Sequence, residues 1–237
     1  MSSRCNHLLA GALLASLAAP ALAGRPLATD DAATADVGRC QLESWSAKRE
    51  DDRNFVLSGA CGAAAGLEIG LEAARARPRN DTELEAGVAL KWAPAAATFG
   101  TPLGELRLGA KAALGSLHPR SADWELASVG ALGLASLATS STTALHLNLG
   151  ALHDRDSGRT GALLNVAATW SPASAALLFA EVQATDRRSV GPATVRTAGA
   201  RWWIVPDTFG LDLTVSRAAG SDTTQWSLGF GWYGIDF

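Results

Sequence analysis

Along most of this chain apolar and polar residues alternate one by one. In LEIGLEA (67–73), Leu67, Ile69 and Leu71 share one face while Glu68, Gly70 and Glu72 share the other. In ELEAGVALKW (83–92), Leu84, Val88, Leu90 and Trp92 oppose Glu83, Glu85 and Lys91. In ELRLGAKAAL (105–114), Leu106, Leu108 and Leu114 oppose Glu105, Arg107 and Lys111. Further on, Leu145, Leu147 and Leu149 oppose His146 and Asn148, and Leu211, Leu213 and Val215 oppose Asp212, Thr214 and Ser216. A period of two is the signature of extended backbone with one apolar and one polar face. The rhythm predicts twelve strands, at 37–47, 55–61, 66–76, 82–92, 104–114, 124–137, 143–152, 160–170, 175–184, 194–204, 209–217 and 224–237. Strands of soluble proteins average about five or six residues, whereas those that cross a membrane need about nine to eleven. Most of these segments belong to the second class, and their even number suits a bacterial single-chain barrel.

The connections sort the same way. KREDDRN (48–54), RPRND (77–81), SLHPRSAD (116–123), HDRDSGR (153–159), TDRRSVGPA (185–193) and AAGSD (218–222) are polar, most of them rich in charge. Those between them, GAAA (62–65), PAAATFGTPL (94–103), TSS (139–141), SPAS (171–174) and VPDTF (205–209), are mostly small and uncharged. An up-and-down barrel with its amino terminus in the periplasm has polar loops outside and short turns inside. The connection 94–103 is long for an inner turn. Tryptophans gather at strand ends: Trp92, Trp170, Trp202 and Trp232 at one boundary, Trp124 and Trp226 at the other. Amphipathic rings prefer the membrane–water interface, so two aromatic girdles are expected. The uncharged run 126–145 is long enough for a membrane helix, but ThrSerSerThrThr (139–143) at its centre makes two strands and a turn the better reading.

Composition adds a compartment. Residues 1–23 read as a secretory signal peptide: Arg4, then the apolar run LLAGALLASLAA (8–19), Pro20, and the small-x-small site Ala21-Leu22-Ala23. Residues 24–36 read as a flexible leader before the barrel at 37–237. Charged residues make up 18% of the chain, below the roughly 25% usual for soluble domains. The formal charge of −3 and the lack of a basic block exclude a nucleic-acid partner. An exported chain permits disulfides, and Cys40 and Cys61 flank the first predicted hairpin almost symmetrically, so a bridge between them is expected.

The polar faces should line the lumen. They carry Glu68, Glu72, Glu83, Glu85, Lys91, Glu105, Arg107, Lys111, His146, Asn148, Glu181, Arg201 and Asp212. Such a set can be a salt-bridge network that fills a narrow barrel or a charged lining that selects solutes. Catalysis finds little support. Outer-membrane acyl hydrolases pair a His with a nearby strand Ser, and His146 is followed by Leu147 and Asn148 rather than by a His-x-Ser pair. Zinc spacing, a nucleotide-binding glycine loop and a supported carboxylate pair are all missing from the sequence, so no cofactor or metal is expected.

Two resemblances follow from these residues. The last strand ends on Tyr233, Ile235 and Phe237 at alternate positions, similar to the carboxy-terminal signature that the outer-membrane assembly machinery reads. Trp226, Leu228, Phe230 and Trp232 run on the opposite parity, so a bulge near 232–234 is required to reconcile the two sets. The stretches LEIGLEAA (67–74), GVALKWAP (87–94), ALHLNLGA (144–151), LLFAEVQA (177–184) and AGARWWIVPDTFGLDLTV (198–215) resemble the outer-membrane barrels named for the meta-pathway of phenol degradation. That resemblance covers about residues 66–237. It implies a closed all-β transmembrane barrel in the bacterial outer membrane, in contact with the bilayer, that passes small and often hydrophobic molecules. The alternatives are a structural or adhesion barrel without transport, and a lipid-modifying enzyme.

Overall fold

The computed structural model of the chain describes residues 27–50, 52–77, 83–118, 123–186 and 193–237. The expected signal peptide at 1–23, the start of the leader, and parts of the outer loops (78–82, 119–122 and 187–192) lie outside the described residues. Twelve strands of 10 to 15 residues form one antiparallel sheet: β1 (Arg39–Arg49), β2 (Asp52–Ala64), β3 (Leu67–Arg77), β4 (Glu83–Trp92), β6 (Gly104–His118), β7 (Glu125–Ala138), β8 (Thr143–Asp154), β9 (Arg159–Ala173), β10 (Ala176–Thr185), β11 (Thr194–Val205), β12 (Phe209–Ala218) and β13 (Gln225–Asp236). Each pairs with its neighbour in sequence, and β1 pairs with β13 from Arg39–Asp236 to Lys48–Trp226, which closes the barrel. Closure leaves no barrel edge with unpaired backbone groups, the condition for crossing lipid with strands.

One further strand, β5 (Thr98–Thr101), accounts for the long inner connection. After a 3-10 turn at Ala95–Ala97 the chain folds back and pairs with Gly104–Arg107 at the start of β6. It forms a small flap beside the wall rather than a thirteenth stave, because β4 pairs directly with β6 above it.

The faces follow the sequence alternation. Leu71 is 65% exposed and Leu149 61%, whereas Asn148, one residue from Leu149, is 0% exposed. Apolar side chains turned outward from strand after strand make a continuous apolar band, which on a closed barrel is the lipid-facing surface of an outer-membrane protein. Trp92, Trp124, Trp170, Trp202, Trp226 and Trp232 are all exposed on the outward face.

The required bulge is present. Leu42 pairs with Trp232 but Cys40 pairs with Ile235, so β13 carries one extra residue, and Gly234 at φ 70 takes the bend. Ile235 thereby rejoins the face of Trp232, while Tyr233 turns inward. The terminal triplet expected on one outer face is therefore split. Cys40 and Cys61 sit directly opposite in the β1–β2 ladder and are joined by a disulfide. The bridge closes a loop with a sequence separation of 21, so replacing both cysteines by serine should lower unfolding stability by about 3 kcal/mol through the freed unfolded chain. Urea unfolding in lipid vesicles measures this, and an unchanged midpoint would remove the clamp role.

Candidate functional site

The chain before β1 is not a detached leader. Residues 27–36 run inside the barrel, and every described polar group that they meet belongs to the inward parity of a strand. Glu181 on β10 accepts from the backbone N–H groups of Ala28 (3.0 Å) and Thr29 (2.9 Å) and from the Thr29 hydroxyl (2.9 Å). Asn148 on β8 reads both sides of the Asp30 residue, accepting from its N–H at 2.7 Å and donating to its C=O at 2.8 Å. Ser136 on β7 accepts from Ala32 N–H at 2.8 Å, and Glu68 on β3 accepts from Ala35 N–H at 2.8 Å. A segment rich in Ala, Thr and Asp has little apolar surface to bury, and its backbone amides need partners, which the lumen wall supplies.

Charge fixes the centre of the segment. Lys91 and Lys111 face each other across the β4–β6 ladder. Two like charges in register repel, and Asp30 lies between them with one carboxylate oxygen 2.7 Å from each ammonium group. Asp31 adds a second contact to Lys91 at 2.7 Å. The carboxylates closest to Lys91 thus come from the segment and not from a neighbouring strand. Apolar contacts complete the seat: Ala32 packs with Leu132 and Leu134 of β7 and Ala113 of β6, and Leu27 packs with Phe179 and Ala167.

A second cluster lies on the other side of the lumen. Arg201 on β11 makes a two-pronged ion pair with Asp212 on β12, Nε to Oδ1 at 2.6 Å and Nη2 to Oδ2 at 2.8 Å. It also donates to the Tyr233 hydroxyl, which in turn donates to Glu43 on β1. The guanidinium lies over the rings of Trp203 and Tyr233, each centroid 4.9 Å from its carbon. Between this cluster and the segment remains a cavity of about 50 Å³ bordered by Asp30, Glu43, Glu68, Glu72, Lys91 and Lys111.

The lumen residues expected from sequence are thus largely brought together. Glu68, Lys91, Lys111, Asn148 and Glu181 hold the segment, Arg201 and Asp212 form the opposite cluster, and Glu72 borders the cavity. Glu83 and Glu85 share the inward parity of Lys91 nearer the outer mouth. Glu105 and Arg107 share the inward parity of Lys111, with Arg107 opposite Ser136 across the β6–β7 ladder, but lie at the inner end of β6, away from the segment. They pair with each other at 2.8 Å, about half-exposed, on the stretch of β6 that β5 rather than β4 covers. His146 stands opposite Ser136 in the β7–β8 ladder, and Ser136 Oγ lies 2.8 Å from His146 Nδ1. This Ser–His contact, invisible in either strand alone, faces the lumen and receives the Ala32 amide, so it serves to anchor the segment. The residues missed from sequence are Asp30, Asp31, Ser136 and Glu43, while Tyr233, which the sequence places in the terminal signature, joins the lumen cluster. A pair of adjacent acids before a barrel whose wall carries two lysines was the one available signal.

Comparisons with known proteins place this geometry. Residues 11–231 match the family model described as Uncharacterised conserved protein UCP029691. A search of the curated proteins finds no match. Among solved structures, the chain is similar to the KdgM porin in complex with disordered oligogalacturonate, at 10% identity and a TM-score of 0.65 over 81% of this chain and 98% of that one. It is similar to the NanC porin, at 9% identity and a TM-score of 0.55 over 81% and 98%. It is also similar to the outer-membrane protein Omp33 of Acinetobacter baumannii, at 11% identity and a TM-score of 0.50 over 84% and 98%. At these identities the likeness is one of fold: an outer-membrane porin-like barrel.

Proposed function

The chain belongs to the conserved family UCP029691, and from that premise we propose that it is an outer-membrane channel or transporter for small molecules whose resting lumen is closed by its own N-terminal segment. The observation that carries the reading is the way residues 27–36 are held. Their contacts are hydrogen bonds and ion pairs to a polar wall, with only two small apolar contacts. Each of these contacts can be exchanged for water, and the net worth of an exchanged hydrogen bond is only about 1 kcal/mol. Such a seat suits a segment that leaves and returns. The likeness to KdgM and NanC, both porins, supports passage of small solutes. The resemblance to the phenol-degradation barrels suggests hydrophobic solutes, but a wall of carboxylates, amides and ammonium groups favours polar ones. Assembly by the outer-membrane machinery belongs to the same proposal, with Trp232, Ile235 and Phe237 on the apolar side of the last strand.

The occupied lumen also favours one competing reading, a barrel that conducts nothing and serves the envelope structurally. Single-channel recording of residues 24–237 in planar bilayers separates the two. The native chain should be silent or open rarely. Asp30→Pro with Asp31→Ala removes the Asp30 amide from Asn148 and all three carboxylate contacts to Lys91 and Lys111. Steady conductance steps are expected from that variant. A variant that forms the barrel, judged by heat-modifiable gel mobility, yet never conducts would leave the structural reading in place.

A further inference from the structure

We infer that the lumen, once its N-terminal segment has left, is a path for small cations, and that Glu181 is the group that binds their ammonium or guanidinium N–H donors. This rests on the channel reading above and names its solute class. Glu181 is 4% exposed, and its partners are neutral donors throughout: the Ala28 and Thr29 amides, the Thr29 hydroxyl, and the Gln183 side-chain amide at 3.1 Å. No ion pair to Glu181 occurs among the described residues. A carboxylate that gathers three donors from one bound segment is a ready acceptor for a charged N–H group, which bonds to it about twice as strongly as a neutral one. Phe179 shares the inward face of β10, two residues from Glu181, and is covered by Leu27. Removing the segment uncovers that ring beside the carboxylate, the surroundings in which an organic cation is held by charge and ring together.

The rest of the wall agrees in sign. Asp30 and Asp31 leave with the segment, and Arg201 and Asp212 neutralise each other. Around the vacated seat the inward faces then present Glu43, Glu68, Glu72, Glu83, Glu85 and Glu181 against Lys91 and Lys111, while the inward-parity arginines nearer the strand ends stand with acids of their own, Arg49 with Asp52, Arg107 with Glu105 and Arg159 in register with Asp154. The lysines do not turn the site toward anions, because Glu68 stands in register with Lys91 across the β3–β4 ladder and can take the place of Asp30. Carboxylate-lined constrictions select cations.

The test uses the Asp30→Pro/Asp31→Ala chain in a potassium chloride gradient, with spermidine as the probe solute. A reversal potential of the sign set by cations is expected, together with block of the current by spermidine. Adding Glu181→Gln should weaken that block by about tenfold, while Glu181→Asp should retain it. Anion selectivity, or a block that Glu181→Gln leaves unchanged, overturns the inference and leaves the channel standing. The reversal potential decides the selectivity even where Glu181→Gln fails to assemble. A properly formed barrel without conductance overturns the channel reading itself.

Discussion

Replacing Arg201 by Met should cost the barrel about 3–5 kcal/mol of unfolding stability, because it leaves a buried carboxylate without its cation. Asp212 is 1% exposed and receives both prongs of the guanidinium. The loss would not stay local. Arg201 on β11 holds Asp212 on β12 and Tyr233 on β13, and Tyr233 reaches Glu43 on β1, so one side chain ties four consecutive staves across the seam where the chain closes on itself. Arg201→Lys keeps the charge but loses the two-pronged geometry and the stacking on Trp203 and Tyr233, and should fall between. The double change Arg201→Met with Asp212→Leu should recover most of the loss, since an apolar pair carries no unpaired charge. Urea unfolding in vesicles reads all three variants. A single Met variant within about 0.5 kcal/mol of the parent, the range of an ordinary surface change, would show that the cluster does not hold the seam.

The twelve staves were legible because a lipid-facing barrel imposes the strictest form of alternation: every second residue meets hydrocarbon. Residues 82–92 were expected as a strand, and β4 spans Glu83–Trp92. Where the reading fell short, the cause was the end of that constraint. The strand expected at 55–61 runs from Asp52 to Ala64, because the ladder continues past the membrane where Asp52 and Arg53 are free to be polar. Trp202 faces outward and is exposed, whereas its neighbour Trp203 stacks on Arg201 in the lumen, as parity demands of adjacent residues. The N-terminal segment was opaque for a different reason. It has no periodicity of its own, and four of the wall groups that bind it, Glu181, Asn148, Ser136 and Glu68, recognise its peptide N–H groups. Every non-proline residue carries that donor, so composition suggested a flexible leader where the lumen holds an ordered one.

Gly62→Ala should expel that segment from the lumen without harming the barrel. Gly62 lies on the inward parity of β2 where the segment enters, bonded through its carbonyl to Gly38 N–H at 3.2 Å. A β-carbon there would stand 2.2 Å from the carbonyl oxygen of Asp36 and 2.4 Å from that of Ala35. Both are backbone atoms, so no side-chain rotation relieves the clash, and one methyl group suffices to force the chain aside. The strand itself has no cause to object, since Gly62 is not among the residues of positive φ. The clash therefore falls on residues 35 and 36, whose displacement draws Ala35 away from Glu68 and then Asp30 from its lysines. A cysteine at position 29 reports the outcome. Thr29 is 2% exposed in the native chain, so Thr29→Cys should resist a membrane-impermeant maleimide there and label readily once Gly62→Ala is added. Labelling that stays slow in the double variant, with heat-modifiable mobility intact, would mean that the segment is held too firmly to act as a gate.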